Sequence, residues 1–151
     1  IPMIFEYSNH VQCTKEEAWN LITEIERRPD WIHFMDKCVW LDKKPGIVGS
    51  TYNEEEVFLG FHLNVKYTVT EFIEFEKMTS KCDMYPFHQK VEVSMKENKN
   101  GTVFTKLVID AQIGVLGLIP KFIIKNRVDA LVQPLVDKFF DILESESSLK
   151  K

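Results

Sequence analysis

The hydrophobic period of this chain changes near its end. Over residues 120–145 apolar side chains recur every three or four positions, through Ile124, Val128, Leu131, Leu135, Phe139 and Ile142. Val132, Val136, Phe140 and Leu143 widen that stripe, while Lys121, Lys125, Asp129, Lys138 and Asp141 fall outside it. This spacing predicts one long amphipathic helix with a single face on a core, on the order of 40 Å in length. Pro134 removes the hydrogen bond to the Ala130 carbonyl and predicts a bend. The stripe continues unshifted on both sides of it, so a single bent helix is expected.

Upstream the period is mostly two. Residues 4–11 alternate, with Phe5, Tyr7 and Val11 on one side, and predict a first strand. Thr14-Lys15-Glu16-Glu17 is a capping box, and Ala18, Leu21, Ile22 and Ile25 give the short helix behind it an apolar face. Pro29 predicts a second short helix that opens there and runs to about residue 35. Strands follow over 38–42, 51–59, 61–75, 77–85, 87–97 and 103–113. In the longest, Phe61, Leu63, Val65, Tyr67, Val69, Ile73 and Phe75 share a face, and Glu71 marks an expected bulge. Asn100-Gly101 supplies the positive φ of a hairpin turn, which is how the glycosylation-like triplet ending in Thr102 is read.

These elements predict an α+β domain over residues 1–151, with 145–151 as a frayed tail. Six or seven antiparallel strands would make a sheet roughly 30 Å wide, whereas one helix is only about 10–12 Å across. The sheet must therefore curl around the helix, with the short helices closing an end. Space is expected between helix and sheet, filled either by bulky side chains or by a ligand.

Charge and cysteine content narrow the partners. A net charge of −4 and a pI near 5.6, with no basic stripe, argue against nucleic acid. Cys13, Cys38 and Cys82 are far apart and pair with no histidine at ligand spacing, so neither metal nor other cofactor is expected. A sparse, odd set fits a reducing, cytoplasmic setting. The apolar run over 113–124 is interrupted by Gly114, Gly117, Pro120 and Lys121 and is too short for a transmembrane segment. Monomer and homodimer are both open.

The motif order resembles the START-like, or SRPBCC, helix-grip superfamily. The resemblance rests on Thr14-Lys15-Glu16-Glu17-Ala18-Trp19, Arg28-Pro29-Asp30-Trp31, Gly49-Ser50-Thr51-Tyr52, Tyr67-Thr68-Val69-Thr70-Glu71-Phe72 and Asn100-Gly101-Thr102. The layout is most similar to the polyketide cyclase/dehydrase-like branch. It implies a helix-grip fold and a hydrophobic ligand, whether lipid, quinone or aromatic polyketide-like, and it leaves catalysis open.

Glu54-Glu55-Glu56 is the one acidic run inside a strand. Alternation puts Glu54 and Glu56 together with Tyr52, and Glu55 opposite. The simpler expectation is a twisted strand near a sheet edge whose acids reach water. The alternative is a desolvated carboxylate acting as acid or base, with Tyr67 beside it. For ligand contact the apolar faces nominate Trp31, Phe34, Phe61, Leu63, Val65, Tyr67, Tyr85, Val91, Val93, Leu107 and Ile109. Phe122, Ile123 and Arg127, near the start of the long helix, complete the set. Binding of a small hydrophobic molecule is the first expectation. A cyclase/dehydratase-like or isomerase-like enzyme is the second, and a partner-binding module with a filled core the third.

Overall fold

A computed structural model describes the chain except residues 1, 59, 85, 86, 113–118 and 151. The described residues begin with β1 (Pro2–Val11), α1 (Lys15–Thr23) and a 3-10 helix (Ile25–Asp30). Six strands follow: β2 (Met35–Asp42), β3 (Thr51–Phe58), β4 (Phe61–Ile73), β5 (Lys77–Met84), β6 (Phe87–Glu97) and β7 (Val103–Gln112). The long helix α2 (Lys121–Glu146) and a 3-10 turn (Ser148–Lys150) end the chain. All neighbouring strands are antiparallel, in the order β1-β7-β6-β5-β4-β3-β2. The sheet curls so that β1 packs against α2, and Tyr7 donates to Asp129 Oδ1 at 2.5 Å across that contact. This is the helix-grip architecture of START-like proteins.

Local chemistry accounts for the elements. Thr14 Oγ1 accepts from Glu17 N at 3.1 Å while Glu17 Oε1 accepts from Thr14 N at 2.8 Å, so two orphan donors of α1 are satisfied reciprocally. Helix α2 runs unbroken through Pro134. Pro134 and Ala130 are both exposed, so the hydrogen bond that proline removes lies on the solvent side, where water can replace it. The buried positions of α2 include Ile124, Val132, Leu135, Val136, Phe139 and Ile142, in agreement with its stripe.

Three expectations are corrected. The second short helix is a 3-10 segment that holds Pro29 near its end, and β2 already starts at Met35. The bulge in β4 falls between Val69 and Glu71, and a one-residue slip exchanges the faces of a strand. Phe72 therefore packs on the core and Ile73 is left exposed. The tail expected to fray is anchored at its start: Glu17 accepts from Ser147 Oγ at 3.1 Å and from Ser148 N at 2.8 Å.

One end of the concave face is solidly packed. There α1 lies on β6 and β7, and Trp19 meets Phe72 and Phe75 at centroid distances of 5.4 and 6.2 Å. Val69, Met78, Met95 and Val103 are buried beneath. No helix among the described residues is long and apolar enough to cross a membrane.

Candidate functional site

Beyond that packed end, α2 and the sheet enclose a cavity of about 330 Å³. Every residue that α2 contributes to its wall is apolar: Val128, Leu131, Val132, Leu135 and Phe139. β6 and β7 add Val91, Val93, Leu107, Ile109 and Ala111. The polar wall residues are Arg28, Glu54, Glu56, Tyr67 and Gln89. Among the described residues β5 supplies none to the wall, and its inward positions there are the small, buried Ser80 and Cys82. Small side chains under the middle of the cavity help to keep it open.

The polar residues form one connected cluster. Arg28 Nη1 donates to Tyr52 Oη at 3.0 Å and to Glu54 Oε1 at 3.1 Å, and its guanidinium lies 4.8 Å from the centre of the Tyr52 ring. Tyr52 stacks on Tyr67 at 5.3 Å and 11°, as their direct pairing across β3 and β4 requires. Gln89 Nε2 donates to the Tyr67 hydroxyl. Burial alone would lower the Arg28 pKa; the charges of Tyr52 and Glu54 outweigh it and raise that pKa. Burial likewise pushes the Tyr52 and Tyr67 hydroxyls up, with Arg28 opposing it at Tyr52 and Glu54 adding to it at Tyr67.

Glu56 follows Glu54 by two residues and so shares its face of β3. Its pKa is pushed up to about 9, first by burial and then by a hydrogen bond to Glu54 and that group's charge. Glu54 and Glu56 thus line the same stretch of wall, with the Arg28 guanidinium bonded to Glu54.

The expectation that these acids reach water therefore holds only for Glu55, which is exposed; Glu54 is 6% exposed. Alternation sorted the three residues correctly, but the curl turned the Glu54 face inward. The structure brings Trp31, Phe34, Leu63, Val65, Tyr67, Val91, Val93, Leu107 and Ile109 together in the wall, with both inward glutamates. Phe61, 71% exposed, and Phe122, 68% exposed, lie outside it, as do the exposed Ile123 and Arg127. Phe61 opens β4 and Phe122 lies in the first turn of α2, so each has the right period at an exposed end of its element. Tyr85 lies outside the described residues.

Sequence reasoning missed Arg28 and Gln89 as members of the site. Arg28 read as part of a helix-breaking triplet. Its signal was the spacing Ile25-Arg28-Trp31, since residues three apart eclipse in a 3-10 helix and Arg28 shares the inward side of Ile25. Gln89 precedes Val91 by two and shares its face, a polar residue in an apolar series. Among the described residues no group of histidine, cysteine and carboxylate side chains is arranged to hold a metal ion.

Comparison with known proteins agrees with this architecture. The structure is similar to a START superfamily protein from Mycobacterium smegmatis, with a TM-score of 0.79 and 14% identity over 94% of this chain and 97% of that one. It is similar also to the di-domain ARO/CYC StfQ from the steffimycin biosynthetic pathway, with a TM-score of 0.77 and 13% identity, covering 96% of this chain and 51% of that one. A protein of unknown function from Staphylococcus aureus gives a TM-score of 0.72 at 15% identity over 96% and 95% of the two chains. No curated protein matches. The family model described as polyketide cyclase / dehydrase and lipid transport matches residues 3–147. The chain belongs to that polyketide cyclase / dehydrase and lipid transport family.

Proposed function

We propose that the protein, acting as one domain, binds a small hydrophobic ligand between α2 and the curled sheet. The observation that carries this is the cavity itself, about 330 Å³ with an apolar wall and one polar cluster. That volume favours a ligand over a core filled by the chain's own side chains. Uptake would be driven by burial of apolar surface, at about 25 cal/mol per Å² before association costs. The ligand class is a lipid, quinone or aromatic polyketide-like molecule. Native mass spectrometry of the freshly purified protein, with identification of what denaturation releases, tests the proposal. One apolar molecule per chain is expected. A bare mass that stays bare across lipids, quinones and polyketide-like aromatics would count against it.

A second reading is favoured by Glu56, a carboxyl group that burial keeps protonated at neutral pH in the wall of the cavity. Such a group can act as general acid toward a bound carbonyl oxygen while the Glu54 carboxylate in the same wall takes the α-hydrogen as a proton. This reading expects exchange of the α-hydrogens of a bound ketone in D₂O, followed by NMR, and its loss in a folded Glu56→Gln variant. Equal exchange in both proteins would remove it.

A further inference from the structure

The cavity has a neighbour. A small apolar pocket of about 30 Å³ lies beside it, with Tyr7, Thr105 and Val136 in its wall. Trp31, Val93, Leu107 and Phe139 belong to the walls of both. These shared residues form two pairs. Val93 on β6 and Leu107 on β7 stand directly opposite each other, in one row with Tyr7 on β1. Trp31 and Phe139 meet edge to face with ring centroids 5.0 Å apart. Phe139 comes from α2, and Trp31 caps the 3-10 helix at its C-terminal end. A sheet pair thus makes the floor of the junction and an aromatic pair its roof.

The pocket lies toward the solid end. Gln89, Val91 and Val93 follow one another along the inward face of β6, and the next inward residue is the buried Met95. Gln89 belongs to the polar cluster through its bond to the Tyr67 hydroxyl. From Gln89 to Val93 the strand advances roughly 13 Å. A ligand whose polar end meets this cluster therefore runs along about that length of apolar wall before it reaches the junction.

Three of the four shared residues are set in the grip itself. β6 and β7 each have a neighbouring strand on both sides, and Phe139 lies on the buried stripe of α2. Trp31 lies outside strand and α-helix. A buried indole ordinarily donates its N–H. Trp31 Nε1 is buried and has no hydrogen-bond partner among the described residues. What Trp31 supplies at the junction is bulk.

From the shared walls we infer that Trp31 is a specificity-determining residue: its indole closes the junction to the side pocket and limits the length of the ligand's apolar part. The inference rests on the ligand-binding proposal above and narrows it to ligands with one polar end and an apolar body of roughly 13 Å.

The test uses straight-chain alcohols, hexanol to hexadecanol, as a ruler. They compete with N-phenylnaphthylamine, an uncharged fluorophore that brightens in apolar surroundings. In the wild type each added methylene should tighten displacement about fourfold, the equivalent of about 0.8 kcal/mol, until the chain meets Trp31. Beyond that length the gain should stop. In Trp31→Ala the gain should continue to longer chains. Val136→Phe, which fills the side pocket, should shorten the longest chain that Trp31→Ala accepts. Trp31→Leu, which keeps an apolar side chain over the floor, should show the same shift to a smaller extent and serves if Trp31→Ala fails to fold. The wild type gives a check that needs no variant. An alcohol of the limiting length with a bromine at its far end should quench the emission of Trp31, and one with the bromine beside the hydroxyl should quench it less. Equal quenching by the two, or the same limiting length in the wild type and a folded Trp31 variant, would overturn the inference with binding to the cavity intact. A Val136→Phe change without effect on Trp31→Ala would show that the chain does not enter the side pocket and would overturn it equally. A fluorophore that fails to bind would overturn the cavity proposal, and this inference with it.

Discussion

The two ends of the concave sheet are built from the same strands and the same kinds of residue, yet one is solid and the other hollow. Val69 on β4, Met95 on β6 and Val103 on β7 are buried. Leu63, Val91 and Leu107 lie on the same inward faces of those strands and are only half-buried. What differs is the opposing surface. At the solid end α1 adds Trp19 and Leu21, and Phe72 and Phe75 close over Trp19. At the hollow end α2, joined by Ile22, Arg28, Trp31 and Phe34, must cover a sheet far wider than a helix. The space left over follows from element dimensions, and polar side chains then give one wall of it a chemical character.

Mutations can break this comparison, and the largest effect should come from the polar wall. Arg28→Ala leaves Glu54 buried beside Glu56 with no cation. Loss of one partner of a buried ion pair costs about 3–5 kcal/mol, which the urea midpoint will show. Next come truncations at the two ends. Leu21→Ala, at the solid end, is expected to cost about 2–5 kcal/mol. Leu107→Ala, facing the cavity, removes a side chain that is already short of neighbours and should cost roughly 1 kcal/mol, below that range. Equal costs would mean that both ends are packed alike.

The raised Glu56 pKa adds a pH dependence. The Glu56 pKa is raised by folding, so the folded chain holds an extra proton between the ordinary value of 4.5 and about 9. Stability from this group is full below 4.5 and is lost as pH rises through that window, at up to about 1.4 kcal/mol per pH unit. In Glu56→Gln the melting temperature should fall less over that range than in the wild type. Parallel curves would show that Glu56 is ionised throughout. At the solid end, Thr14→Ala removes the cap of α1 and should cost about 1 kcal/mol. The smallest effect is expected at the half-exposed Glu71–Lys77 pair, 2.8 Å apart at the surface. Lys77→Ala should leave the urea midpoint indistinguishable from that of the wild type.

The framework was legible because it is written in period. Alternation gave the strands, steps of three and four gave α2, and Glu71 marked a slip that moved Phe72 in and Ile73 out. The site was legible only in part, and the reasons are geometric. Period assigns a side chain to a face, and it is silent on whether anything lies opposite. Phe61 and Phe122 carry the right period and are nevertheless exposed. Glu54 and Glu56 were sorted to one face, but only the curl of the sheet and the register of the 3-10 helix bring Arg28 to them across 26 residues of sequence. Such long-range pairs leave no local pattern. The odd polar residue at an apolar spacing, Arg28 or Gln89, was the available trace.

The most direct test of a hollow end facing a solid one is the same enlargement at both. Val69 is 1% exposed in the solid end, and Val91 lines the cavity. Val91→Trp should fold with near wild-type stability and lose uptake of N-phenylnaphthylamine, because the indole occupies the ligand's space. Val69→Trp should be destabilised by about 1–3 kcal/mol or more through overpacking. A Val91→Trp protein that is as damaged as Val69→Trp, or that folds and still takes up the fluorophore like the wild type, would contradict the account.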